Sequence, residues 1–356
     1  MKTPASLVRD EIRALEAYHV APAHGMVKLD AMENPYRLPP EVANALAQRL
    51  AQVPVNRYPD PTASGLKAKL REAMGIEDCL EVMLGNGSDE ILQIVTLALA
   101  KPGAVVLALE PSFSVYRMAA IAAGMRYVGV PLDRDFSLDE KALMEAIRRE
   151  RPALTWIAYP NNPTGNLFPR EAILRIVAAS PGLVAVDEAY YAFSGGASML
   201  SDVGKHPNLI VVRTVSKLGL AGVRVGLAVG SGDWLHEFEK LRMPYNVGSL
   251  NAAAAEFLLG ERAVLVRQTG AIVAERARLE GDLDALARVE RFASAANFIL
   301  VRVPDAPRAF ETLRQRGILV RILHGSHPLL AHCLRLTVGT PDENTRMLEA
   351  LVTALG

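Results

Sequence analysis

Cysteine is scarce in this chain: Cys79 and Cys333 are the only two in 356 residues, and they stand too far apart for any metal-ligand spacing. That excludes a disulfide framework and a zinc site, and leaves reduced thiols of the kind that persist in the cytoplasm. Net charge is missing too, with Lys+Arg and Asp+Glu at 39 each. A balanced chain exerts no long-range pull on nucleic acid or on an anionic membrane, so small molecules are the expected partners. No stretch approaches the roughly 18 uninterrupted apolar residues of a membrane span, and the first residues are charged and helix-like rather than apolar. Internal repeats and low-complexity tracts are absent as well. What the chain has in quantity is apolar side chains, 50% of the total, enough for a substantial core and for two domains at this length.

Periodicity predicts a short amphipathic helix over residues 7–18, then an extended, proline-punctuated segment over 27–40 that lies across a larger body. Helices follow over 41–50 and 65–74, separated by the loop N-R-Y-P-D-P at 56–61, which carries Tyr58. From Glu81 strands alternate with helices. Strands over 82–84, 105–109, 154–159, 183–186 and 209–212 deliver G-N-G-S-D-E, E-P-S-F, P-N-N-P-T-G, D-E-A-Y and R-T-V-S-K respectively. Such alternation implies a mostly parallel sheet with helices on both faces, and all five loops then share its carboxyl edge. After Tyr245 the pattern becomes helical, over 250–259 and 264–286, and ends in a smaller α+β unit. Its strands cover 298–303, 317–321 and 333–338, its helices 309–316 and 341–355, with Asp342 expected to cap the last.

The stretch R-T-V-S-K-L-G-L-A-G-V-R-V-G at 213–226 places Lys217 just past a buried strand, with Ser216 and Arg224 beside it. An amine with a hydroxyl and a guanidinium close by suits Schiff-base attachment of a phosphorylated aldehyde of the pyridoxal type. A nucleotide loop would need G-x-x-x-x-G-K-[ST], which is not there. Asp187, ending an apolar strand, is a capped structural acid or a counter-charge to a pyridine nitrogen. Tyr190 and Asn162 are placed to reach the phenolic oxygen of such a ring, although N-N-P-T-G also makes an ordinary turn. Gly87, Ser88 and Asp89 open a helix whose N-terminus suits a phosphate, and Phe113 is either core or a stacking platform. Arg321 and Arg335, on predicted strands, suit a carboxylate or phosphate.

In order, these motifs resemble the pyridoxal-phosphate-dependent aminotransferases of fold type I over nearly the whole chain. The resemblance rests on E-N-P (33–35), R-Y-P-D (57–60), G-N-G-S-D-E (85–90), N-N-P-T-G (161–165) and D-E-A-Y (187–190). It continues through R-T-V-S-K (213–217), L-A-G-V-R-V-G (220–226), A-N-F (296–298), G-I-L-V-R (317–321) and L-R-L-T-V-G (334–339). Within the family the chain is most similar to the histidinol-phosphate aminotransferase branch. The resemblance implies a large domain with a mostly parallel mixed sheet flanked by helices (31–248), a smaller C-terminal α+β domain (249–356) and an N-terminal arm (1–30). It implies that Lys217 carries pyridoxal 5′-phosphate and shuttles the proton, and that Asp187 pairs with the ring nitrogen. Tyr190 and Asn162 then bind the phenolic oxygen, Phe113 stacks, and Gly87, Ser88, Asp89, Ser216 and Arg224 hold the phosphate.

The resemblance further implies a cytoplasmic homodimer in which Tyr58 reaches the neighbouring subunit's cofactor. Tyr18, Asn162, Arg321 and Arg335 then contact the substrates, histidinol phosphate and glutamate or 2-oxoglutarate. Two features depart from the family pattern. Arg224 stands only seven positions after Lys217, one fewer than usual, and Phe113 stands where Tyr or Trp is common. Alternatives left open are an aromatic amino-acid aminotransferase and a lyase resembling threonine-phosphate decarboxylase. An effector-binding module of a transcription regulator would need a DNA-binding segment ahead of the arm, and neither a helix-turn-helix nor a basic patch is present there.

Overall fold

The computed structural model describes residues 3–17 and 21–356. Strands β1 (Val27–Leu29), β2 (Glu81–Asn86), β3 (Val105–Glu110), β4 (Arg126–Pro131), β5 (Leu154–Ala158) and β6 (Leu183–Asp187) come first. They are followed by β7 (Leu209–Thr214), β8 (Val225–Gly230), β9 (Glu290–Arg291), β10 (Phe298–Arg302), β11 (Ile318–Ile322) and β12 (Cys333–Thr337). One sheet has the order β2-β8-β7-β6-β5-β3-β4 and the other β1-β11-β12-β10-β9. In the first, β8 alone runs against its neighbours, so all the other strands present their carboxyl ends at one edge.

Alternation along the central strands explains the layers. Val184 and Val186 of β6, with Val211 of β7, face a core closed by the helices Ser64–Met74, Glu140–Glu150 and Arg170–Ala179. Leu183 and Ala185, with Ile210 and Val212, face the opposite core under Ser88–Ala98, Val115–Ala122 and Gly232–Glu239. Strands buried on both faces read as continuous apolar runs, which is why β5, β6 and β7 were legible in the sequence. The second sheet packs its own core against Ala306–Gln315, Pro341–Leu355 and part of the long helix Arg262–Asp284. Among the described residues no helix is long and apolar enough to cross a membrane.

The structure departs from expectation in several places. β4 is an unread edge strand. β8, whose V-G-L-A-V-G carries two glycines, is another strand the sequence reading lacks. Over the described residues 7–17 of the expected helix there are only the end of one single turn, Pro4–Leu7, and a second, Asp10–Arg13. Val8 and Arg9 between them are extended, and the Arg9 guanidinium donates to the Ile121 and Ala122 carbonyls at the end of Val115–Ala122, at 3.2 and 2.7 Å. Val27–Leu29, assigned to the arm, pairs in parallel with β11, and Ser249–Gly260 buries Ala255, Leu258 and Leu259 in the core of the larger sheet.

Asp342 is not the cap of the last helix. Thr340 holds that position: its Oγ1 accepts from the Glu343 N–H at 3.3 Å, and Glu343 accepts from the Thr340 N–H at 2.8 Å. Replacing Thr340 by Ala should lower the unfolding free energy by about 1 kcal/mol, read as a reduced denaturant midpoint, whereas Asp342→Ala should cost only a few tenths.

Candidate active site

A cavity of about 500 Å³ opens at the carboxyl edge of the larger sheet and is closed from the other side by β11, β12 and the segment after β1. One corner is built for an anion. The helix Ser88–Ala98 begins there with no side chain capping its first N–H groups, which therefore point out with the helix dipole behind them. Gly87, at φ 81°, donates its own N–H to the Gly85 and Arg224 carbonyls at 2.9 and 3.0 Å. Its contribution to the corner is space rather than a donor. A Cβ at Gly87 would lie 2.3 Å from Arg224 Nη2. That guanidinium reaches Asp89 Oδ2 at 3.1 Å and Ser216 Oγ at 3.5 Å, and Thr214 Oγ1 supports Ser216 Oγ at 2.9 Å.

The short Lys217–Arg224 spacing is accommodated by two 3₁₀ turns, Ser216–Leu218 and Ala221–Val223, joined at Gly219 with φ 111°. Arg224 itself takes a left-handed backbone, φ 54°, which turns its side chain back toward Ser216. Lys217 follows β7 and donates from Nζ to the Ala31 carbonyl at 3.2 Å. Burial, with the Arg335 charge second, lowers the amine to about 8.

Asp187 ends β6 and is buried, which pushes its carboxyl up to about 6. Two donors oppose that shift: the Tyr116 hydroxyl reaches Oδ2 at 2.8 Å and the Ala189 N–H reaches Oδ1 at 3.1 Å. Asn162 donates from Nδ2 to the Tyr190 hydroxyl at 3.2 Å, and its Oδ1 accepts from Arg335 Nη1 at 2.6 Å. Arg335 also donates to the Asp30 carbonyl at 2.8 Å and lies over the Phe298 ring. Arg321 stands opposite Arg335 in the β11–β12 register, and Phe113 meets Tyr116 edge to face at 5.7 Å.

Thus Ser88, Asp89, Phe113, Asn162, Asp187, Tyr190, Ser216, Lys217, Arg224, Arg321 and Arg335 all line this one cavity. Tyr58 does not. It is 81% exposed and stacks on Tyr245 at 4.6 Å. Tyr18 lies outside the described residues. Sequence reasoning missed Tyr116, Asp30, Ala31, Glu33 and Thr214. For Tyr116 a signal existed: an aromatic residue in the first turn of a helix leaving a sheet edge, three positions after Phe113.

Residues 24–351 match the family model for class I and II aminotransferases. The chain is 54% identical over 349 residues to a histidinol-phosphate aminotransferase of Chromobacterium violaceum, covering 98% of each. It is 48% identical over 356 residues to one from Neisseria meningitidis serogroup B, covering 99% of this chain and 97% of the relative. Among solved structures it superposes on the Sinorhizobium meliloti histidinol-phosphate aminotransferase in complex with pyridoxal-5′-phosphate with a TM-score of 0.88, at 26% identity and 98% coverage of both chains. The fold is shared with the L-threonine-O-3-phosphate decarboxylase of Porphyromonas gingivalis, with a TM-score of 0.77 at 22% identity, covering 93% of this chain and 99% of that one.

If Gly87 keeps the anion corner open, Gly87→Ala should displace the Arg224 guanidinium and strain the backbone by about 1–2 kcal/mol. Inorganic phosphate at ten times its Kd should stabilise the parent by about 1.4 kcal/mol. That gain, measured as a rise in melting temperature over chloride, should be absent in the variant.

Proposed function

The chain belongs to the class I and II aminotransferases, and on that premise we propose that it transfers the amino group of L-histidinol phosphate to 2-oxoglutarate. The products are imidazole acetol phosphate and L-glutamate, and the step is one of histidine biosynthesis. The observation that carries this reading is the presence of two anion-binding regions in one cavity, contributed by different sheets. Arg224, Ser216 and the helix at Ser88 supply one, and Arg321 and Arg335 supply the other. The first suits the phosphate of pyridoxal 5′-phosphate. The second suits in turn the phosphate ester of the donor and the carboxylates of the acceptor.

The residues present fit the cofactor. The uncapped helix N-terminus would receive its phosphate beside the Arg224 guanidinium, which the missing side chain of Gly87 lets approach and Asp89 orients. Phe113 would stack on the ring, Tyr190 and Asn162 would bind the phenolic oxygen, and Asp187 would hold a proton at the ring nitrogen. When bound, the cofactor supplies the electron-withdrawing ring that makes a substrate Cα–H bond acidic. Lys217, with its proton affinity lowered by burial, takes the proton from Cα and returns it. Arg335 fixes the second anion while gripping Asn162 and the Asp30 carbonyl, so substrate binding and cofactor contacts share one rigid link.

A homodimer in the cytoplasm belongs to this proposal. Tyr58 stacks on Tyr245, and Val55 and Met243, close to them in sequence, are exposed as well, apolar side chains suited to a second copy. Tyr58 of the partner subunit would then reach the phosphate corner, and Tyr18 the substrate.

A panel of amino donors assayed with 2-oxoglutarate tests the reaction: histidinol phosphate should be preferred over aromatic amino acids, and no carbon dioxide should be released. Arg335→Ala should lower kcat/KM for histidinol phosphate by on the order of 3 kcal/mol, about a hundredfold or more. Near-parental efficiency would remove Arg335 from the site.

The shared site has its own test. A Lys217→Ala chain and a chain disabled at Tyr58, unfolded together and reassociated, should form about half hybrid dimers, leaving about a quarter of all sites intact. Activity should reappear from two poor parents; confirmed subunit exchange with no recovery would confine Tyr58 to its own chain.

A further inference from the structure

Tyr116 lies in the first turn of Val115–Ala122 and is fully buried. Its ring stacks on Trp156 with centroids 5.2 Å apart and planes inclined by 2°. Trp156 pairs with Ala185 in the β5–β6 register, and Ala158, two residues on, pairs with Asp187. Trp156 and Asp187 therefore project from the same face of the sheet, and the indole is a platform that fixes where the phenol points. It points at Asp187 Oδ2, at 2.8 Å. The Ala189 N–H holds Oδ1, so both carboxylate oxygens are tethered while the group still lines the cavity.

The remaining charges near Asp187 work against its ionisation. Asp89 and Glu188 both raise its proton affinity. Glu188 is held from the other face by Arg213, at 2.9 Å, and by Ser198, and Asp89 is engaged by Arg224. No cation forms a salt bridge with Asp187 among the described residues. Tyr116 is therefore the side-chain donor that stabilises the anion, and burial next to a carboxylate holds its own proton affinity well above the usual phenol range.

Resting on the aminotransferase reading above, we propose that Tyr116 is a positioning residue whose hydroxyl keeps the Asp187 carboxylate ionised and oriented toward the cofactor's ring nitrogen. Tyr116→Phe removes the donor and keeps the stack on Trp156. A hydrogen bond to a charged group is strong enough to move a proton equilibrium by about one to two pH units. From a starting point of about 6, the Asp187 midpoint should rise by that amount in the variant. In the holoenzyme the acid limb of the turnover profile should move to higher pH, and the affinity for pyridoxal 5′-phosphate should weaken about tenfold or more.

Infrared titration of the carboxyl band in the full chain prepared without cofactor reads the midpoint directly, with Asp187→Asn identifying the band. Tyr116→Leu, which also removes the ring, should repeat the midpoint shift and in addition lower the melting temperature, separating the donor from the packing. An unmoved midpoint in both variants overturns the proposal, as does an unchanged acid limb in the pH profile of the Tyr116→Phe holoenzyme. A parent that takes up no pyridoxal 5′-phosphate would overturn the functional reading instead, and the role toward the cofactor with it. In that event the infrared shift would still register the Tyr116–Asp187 coupling.

Discussion

Because both faces of the larger sheet are apolar, a side chain that must carry charge on its central strands has only the strand end available. Leu183 through Val186 are fully buried, and Asp187 follows immediately as the last residue of β6. Even there it is desolvated. The same holds for Lys217, one short turn beyond β7. Desolvation acts in opposite senses on an acid and a base, raising one to about 6 and lowering the other to about 8. Groups whose ordinary values are 3.8 and 10.5 thus come to bracket neutrality.

Holding two such groups without an ion pair to each other requires neutral partners, and the fold supplies them from unusual sources. Tyr116 serves the acid, and main-chain carbonyls serve the cations: Ala31 for Lys217 and Asp30 for Arg335. A carbonyl accepts without adding charge, so it leaves the lysine's lowered proton affinity in place. A carboxylate at the same distance would have raised it.

Much of this was readable in the sequence because parallel strands buried on both faces announce themselves as apolar runs, and polar motifs directly after such runs must share an edge. That logic brings Asn162, Asp187, Ser216 and Lys217 to one edge, and all four line the same cavity. It failed where a residue's role depends on distant partners. The role of Tyr116 rests on contacts with Trp156 and Asp187, which come from two other strands. Gly87 read as a phosphate donor because its N–H count is visible in sequence and the Arg224 carbonyl that occupies it is not. β1 was hidden for a related reason: three residues beside prolines and glycines carry too little pattern to show a strand whose partner lies near the other end of the chain.

That pairing has a consequence for the order in which the molecule is made. A chain emerges from the ribosome N-terminus first, and the larger sheet can close once β8 has appeared. Val27–Leu29 has by then been synthesised but has nothing to pair with, because β11 has yet to appear. The carbonyl of Asp30 waits for a guanidinium 305 residues downstream. The wall that closes the cavity over Lys217 is therefore complete only when the earliest strand is captured by one of the latest.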